Sequence, residues 1–184
     1  MRVTREKAAE NRERILSAAA RLMRERGLSG VGVDELAAAA GMTHGSLYSQ
    51  FGSKEQLVEE TVSHAVAAKA RELPAIHSLD TYVSEYLSGT HRDAPGTGCP
   101  LAALGCDVAR QGEGVRARFT AGVRGMIGRL SGCMPAGLKT KQRDEAALAA
   151  AASLIGALVL ARAVNDPKLS DDILRATRKQ LTKS

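Results

Sequence analysis

Apolar residues recur at three- and four-residue spacing along almost the whole chain, and nowhere do they alternate for long enough to make a strand. In the first segment, residues 1–27, Ile15, Leu16, Ala19, Leu22 and Met23 form one helical stripe, and Gly27 follows it as a stop. Val33, Leu36, Ala37 and Ala40 predict a short second helix over 34–40, ended by Gly41. Thr43 then stands where its hydroxyl can cap a third helix, whose apolar anchors are Leu47 and Phe51. Ser53 and Gln56 have the spacing of a capping box and open a fourth helix, with Leu57, Val58, Thr61, Val62, Ala65 and Val66 behind them. That helix is expected to reach Leu73 and to stop before Pro74. Further stripes predict helices over 79–87, over 101–110 with Pro100 leading it, over 115–130 and over 143–164. A last helix is expected with Ser170 as its cap. The Pro- and Gly-containing stretch 91–98 reads as a loop, and 132–137 as a break.

The third helix does not fit a core role. Between Leu47 and its neighbours lie Gly45, Ser46, Tyr48, Ser49 and Gln50, which are small or polar, so one face is built to touch something polar. Two short helices joined by a Gly-containing turn, the second polar outside, make a helix-turn-helix, a motif that reads DNA. The basic residues Arg2, Arg5, Lys7, Arg12 and Arg14 precede it as an arm that can reach phosphates. Lys54, at the start of the fourth helix, is unfavourable there for helix stability alone and suits a phosphate held at the helix N-terminus.

Composition narrows the class. Hydrophobic residues make up 44% and aromatics 3%, with few β-branched runs, which favours helices throughout. The net charge of +6 is not an argument for DNA binding by itself. Residues 1–64 carry nine Lys/Arg and nine Asp/Glu, so the excess lies in 65–184 and only local placement counts. No signal peptide opens the chain, and the apolar run 146–161 reads as too short for a bilayer. With an odd number of cysteines, three, this predicts reduced thiols in the cytoplasm.

From Gly27 to Leu57 the pattern resembles the DNA-binding domain of the TetR/AcrR family of bacterial transcriptional regulators. The residues that carry the resemblance include Gly27, Leu36, Ala37, Gly41, Thr43, Gly45, Leu47, Tyr48, Phe51, Lys54 and Leu57. Val31 and Gly32 stand where the family usually has Thr or Ser, and His44 replaces a commoner Lys. The resemblance implies an all-α chain of about nine helices. It would have a three-helix DNA-binding domain (1–52), a linking helix (53–73) and a C-terminal regulatory and dimerisation domain (74–184). It implies that Thr43, His44, Gly45, Tyr48 and Ser49 face the major groove or its flanking phosphates. Gly45 would admit the backbone closely, and Tyr48 and Lys54 would bind phosphate; for Tyr48, a half-buried ring closing the small core is the competing reading.

In the long helix, Leu148, Ala152, Ile155, Val159 and Ala163 step along one face, either as monomer core or as a surface for a second copy. The resemblance, and the commonness of two-fold contacts, favour the homodimer. A dimer would set two reading helices roughly 34–36 Å apart on a palindrome of double-stranded DNA. Cys99 stands at a predicted helix N-terminus after a glycine loop, near His91 and Arg92, surroundings that favour a reactive thiolate. Cys106 is seven residues on, about 10 Å at the helical rise, so the two cannot pair. Cysteines acting only as small buried hydrophobes are the other reading. A small apolar effector is the alternative trigger, with Tyr82, Tyr86, Leu101, Leu104, Phe119, Val123 and Met126 as candidate lining.

No spacing suggests a zinc or other metal site, and no cofactor is expected. Two other function classes compete with a DNA-binding regulator. A helix-turn-helix used for protein contacts would bind DNA weakly and ignore Tyr48→Ala and Lys54→Ala. An enzyme would need partners around His44, His64, His77 or His91, and none is adjacent in sequence.

Overall fold

Gly27 and Gly41 sit at φ +81° and +65°, so two of the N-terminal helices end where a glycine takes the left-handed conformation that other residues avoid. The computed structural model describes residues 5–72, 78–135 and 137–182, which form ten α-helices and no strand. Arg2, Leu73, Pro74 and His77 lie outside the described residues. The helices are α1 (Arg5–Arg26), α2 (Val33–Ala39), α3 (His44–Phe51), α4 (Lys54–Glu72), α5 (Leu79–Tyr86), α6 (Gly89–Asp93), α7 (Pro100–Val108), α8 (Glu113–Ser131), α9 (Thr140–Ala163) and α10 (Pro167–Leu181).

Three expectations are corrected. Ten helices replace about nine, because α6 occupies the first part of the expected loop. Ser88 caps it by accepting from the His91 N–H at 3.1 Å, and only the stretch from Pro95 on behaves as Pro and Gly predict. Asp166, not Ser170, caps α10, accepting from the Leu169 N–H. Ser170 is buried within α10 and donates to the Ala161 carbonyl at 2.7 Å. The long helix starts at Thr140, where Gln142 Oε1 accepts from the Lys139 N–H. At 24 residues it is long and apolar enough, by length and composition alone, to cross a membrane, against the reading of the run as too short. Its inward face (Ala147, Ala151, Leu154, Leu158, Ala161) is nevertheless buried in the protein core.

Two apolar cores organise the chain. The first gathers Ile15, Leu36, Leu47, Phe51, Leu57 and Val62 from α1–α4, closed by Leu104 and Val108 of α7 and Val115 of α8. The second joins α5 and α7–α10 around Leu87, Leu130, Leu154 and Leu158. Helix α4 serves both: Leu57, Val58 and Val62 lie in the first core, while Val66 packs against the second. Where α8 crosses α4, a Cβ on Gly122 would stand 2.8 Å from Val66 Cγ1 and 3.1 Å from Leu101 Cδ2. The glycine permits that close approach.

Candidate functional site

Leu47 and Phe51 turn α3 inward, each 2% exposed, so the other side of the helix faces outward. Thr43 Oγ1 accepts from the Ser46 N–H at 3.3 Å and caps it. Thr43, His44, Gly45, Tyr48 and Ser49 are all exposed along this face, and Lys54 is exposed at the first turn of α4. Ser49 Oγ donates to the Ser46 carbonyl at 2.9 Å. The Tyr48 ring is 42% exposed rather than closing the core, and it stacks on His44 with centroids 5.1 Å apart. His44 Nδ1 also lies 2.5 Å from Asp34 Oδ1, which orients the imidazole beside the face. A Cβ built on Gly45 meets nothing within 4 Å. Nothing inside this chain requires a glycine there, so any demand for closeness comes from a partner.

The basic arm is only partly free. Arg12 Nη1 donates to the Gln50 carbonyl at 2.6 Å, Nη2 pairs with Glu60, and the guanidinium lies 4.2 Å from the centre of the Phe51 ring. It braces the end of α3 against α1 and α4 and is not available to phosphate. Lys7 pairs with Glu10, and Arg14 donates to Asn11. Arg12 was indistinguishable in sequence from its neighbours, because its partners are 38 and 48 residues away.

A cavity of about 450 Å³ opens between α4, α5, α7 and α8. Tyr82, Tyr86, Cys99, Leu101 and Met126 line it, as the sequence anticipated, joined by Val66, His91 and Arg129. Leu104, Phe119 and Val123 do not line it. Leu104 is fully buried in the first core, Phe119 packs between the two cores, and Val123 packs against the second. Helical spacing placed all three on the apolar side of α7 or α8 without showing which side of that stripe meets the void.

His91 fixes the wall around Cys99. Its Nδ1–H donates to the Tyr86 carbonyl at 2.7 Å, and its Nε2 accepts from the Cys99 N–H at 2.9 Å, an arrangement that requires the neutral ring. Burial, helped by the cations Arg162 and Lys69 and opposed by the bond to Tyr86, lowers its pKa from 6.5. The cations expected beside Cys99 therefore do not serve it: His91 is neutral, and Arg92 is held by Asp93, Asp171 and Ser170. All three cysteines are free thiols; Cys99 is buried, Cys133 partly so and Cys106 exposed, so packing alone does not describe the set.

The cavity wall is tied to α1 and α4 through α7 and the segment before it. Asp107 Oδ2 accepts from the Leu28 N–H at 2.9 Å, just past the end of α1. Arg24 Nε donates to the Gly96 carbonyl at 2.7 Å and Lys69 Nζ to the Thr97 carbonyl at 3.2 Å, so the segment leading into Cys99 is tied to α1 and α4.

Tertiary proximity does bring one histidine to a serine and a carboxylate. Ser17 Oγ lies 3.3 Å from His64 Nε2, and Glu13 Oε2 lies 3.7 Å from His64 Nδ1. Ser17 and Glu13 stand within α1, where backbone N–H groups are committed to the helix and cannot serve as oxyanion donors. The trio joins α1 to α4. Among the described residues, no group of His, Cys, Asp and Glu could hold a metal ion.

Residues 15–61 match the model of the bacterial regulatory proteins, tetR family. Over 181 residues, 92% of this chain and 93% of the relative, the sequence is 29% identical to an uncharacterised helix-turn-helix-type transcriptional regulator of Mycobacterium tuberculosis. It is 30% identical over 138 residues to the helix-turn-helix-type transcriptional repressor NemR of Escherichia coli, covering 66% of each protein. The fold is similar to that of E. coli NemR crystallised in its reduced form, with a TM-score of 0.74 at 22% identity, over 94% of this chain and 95% of that one. With the exposed face of α3 set on this fold, the chain belongs to the tetR family of bacterial regulatory proteins and is a DNA-binding transcriptional regulator.

Proposed function

We propose that the protein is a cytoplasmic homodimeric repressor that leaves a palindromic operator when the cavity between α4, α5, α7 and α8 is occupied or its wall is modified. The observation that carries this reading is the Asp107–Leu28 hydrogen bond. It puts the helix that bears Cys99 and Leu101 in direct contact with the end of α1, which is paired through Arg26 and Glu35 with α2, the neighbour of the reading helix. A ligand that moves α7 shifts the spacing of two such readers, provided it binds the two arrangements unequally.

Residues 1–52 act as the reader, 53–73 as the linking helix and 74–184 as the regulatory and dimerisation part. On the reader, Thr43, His44, Gly45, Tyr48 and Ser49 meet the groove edges and flanking phosphates, and Lys54 meets a phosphate. The second copy packs on the outer face of α9. Leu148 is 52% exposed there, Ala152 and Ala163 are exposed, and Ile155 and Val159 are partly buried. Leu160 and Leu169, at 56% and 46% exposed, add to the large apolar surface of α9 and α10 that only a partner would cover.

Thiol modification is the second reading, favoured by the position of Cys99 in the cavity wall and by the relative whose reduced form was crystallised. Fluorescence anisotropy of the reduced protein on its own upstream DNA, repeated after a mild oxidant and after reductant, tests both. Binding lost and then restored supports the thiol trigger, and Cys99→Ser removes it. Tight binding indifferent to oxidant leaves ligand occupancy as the trigger. Absence of salt-sensitive binding to duplexes selected from a random pool overturns the repressor reading.

A further inference from the structure

We propose that the cavity takes a singly charged organic anion, an apolar body carrying one carboxylate, with the carboxylate at the wall formed by Tyr86 and Arg129. The inference rests on the reading of this cavity as the effector site and names what it holds.

The volume, about 450 Å³, falls in the range of small-molecule sites, roughly 300–1,000 Å³. Most of the wall is apolar: Val66, Leu101, Met126 and the Tyr82 ring. Two polar atoms in it are buried and short of a strong hydrogen-bond partner: Arg129 Nε has none, and the Tyr86 hydroxyl has only the weak Cys99 thiol beside it. Tyr86 is only 7% exposed, so an unmet hydrogen bond there is costly. Burial first, then the charge of the Cys99 thiol and the weak hydrogen bond to it, hold the Tyr86 phenol well above its ordinary range, which keeps it a donor at neutral pH.

Several other polar groups of the wall are already engaged. Both His91 nitrogens are bonded, Ser88 Oγ accepts from the His91 N–H, and the Thr97 carbonyl accepts from Lys69. The buried polar side-chain atoms of the wall that lack a strong partner are both donors. Charge points the same way. Among the described residues Arg129 makes no ion pair, while Lys69 is shared between Glu72 and the Thr97 carbonyl. Glu85 is the one carboxylate in the wall, and it is exposed at the rim. A cationic ligand would be repelled by Arg129 and Lys69, and a pure hydrocarbon would leave Arg129 Nε unpaired and the Tyr86 hydroxyl with only the weak thiol. A carboxylate accepts from both donors and meets the guanidinium as a charge-assisted partner.

Isothermal titration of the full-length reduced protein with naphthalene carboxylate and with its neutral carboxamide, two probes of nearly equal shape, tests the class. The expected result is binding at least tenfold tighter for the carboxylate. Arg129→Gln should erase that preference, and Tyr86→Phe should weaken both probes while leaving the preference for the charged one. Circular dichroism melts of each variant establish that it folds. Equal affinity for the two probes, or a preference unchanged in Arg129→Gln, overturns the anion class. Failure of both probes to bind overturns the cavity as a site for ligands of this size. A separate anisotropy measurement on a selected duplex distinguishes the two proposals. Preferential carboxylate binding without release of DNA supports the ligand class and overturns the effector role.

Discussion

Asp107, near the end of α7, accepts a hydrogen bond from the backbone N–H of Leu28, 79 residues earlier in the chain. The contact explains why Gly27 precedes it: a Cβ there would lie 2.5 Å from the same carboxylate oxygen, on a backbone already at φ +81°. A carboxylate on a free backbone donor at the end of α1 is a directional tie between α7 and α1.

Asp107→Ala should therefore uncouple the two halves. Leaving the Leu28 N–H without its partner costs about 1–3 kcal/mol, read as a lower urea midpoint. In the same variant, release from DNA by an effector or oxidant should weaken more than basal DNA affinity does. Anisotropy titrations with and without the trigger check this, and an intact response would remove Asp107 from the coupling.

Two kinds of basic residue near the reader should separate cleanly. Lys54→Ala should keep the melting temperature and weaken DNA binding across sequences, lowering the salt slope by about one. Arg12→Ala should lower the melting temperature, because it strips the Gln50 carbonyl, Glu60 and the Phe51 ring of one shared partner. Arg12→Lys should not restore it, since one ammonium cannot span the same set of partners. Thermal melts paired with salt-dependent DNA titrations distinguish the two effects.

Acidification should destabilise the fold through His91 and His64. In each, burial is the leading cause of a pKa below 6.5, so the folded state disfavours the proton that the unfolded chain accepts. Stability is then complete above the unfolded value of 6.5 and declines as the pH falls through it toward the lower folded values. Protonating His91 would also cost the bond from the Cys99 N–H to Nε2. Urea unfolding at a series of pH values should show this decline, and it should be shallower in His91→Gln. A flat profile over about two pH units below neutrality, the range in which histidine titrates, would count against it.

Gly122→Ala should destabilise by about 1–3 kcal/mol, the usual cost of overpacking. The added methyl meets both Val66 methyls at 2.8 and 2.9 Å, and valine has no flexible end to move aside. Because Gly122 also lines the cavity, the same change should reduce binding of any ligand there. Melting and titration of the variant measure the two effects separately.

Sequence by itself determined the elements whose causes are local. Gly27 and Gly41 as stops, Thr43 as the cap of α3, Ser53 Oγ accepting from the Gln56 N–H at the start of α4, and the inward pair Leu47 and Phe51 all act within a few residues. That was enough to read the helix-turn-helix and its polar face. Tertiary structure alone decided what depends on distant partners. It took Arg12 out of the basic arm, put Leu104 in the first core instead of the cavity, made Ser170 a buried bond donor rather than a cap, and set His91 against Cys99 and Tyr86. A helical period says which residues share a face. The neighbour that covers that face is chosen by packing across the whole chain, so the cavity and its tie to the reader through Asp107 and Leu28 emerge only once the helices are assembled.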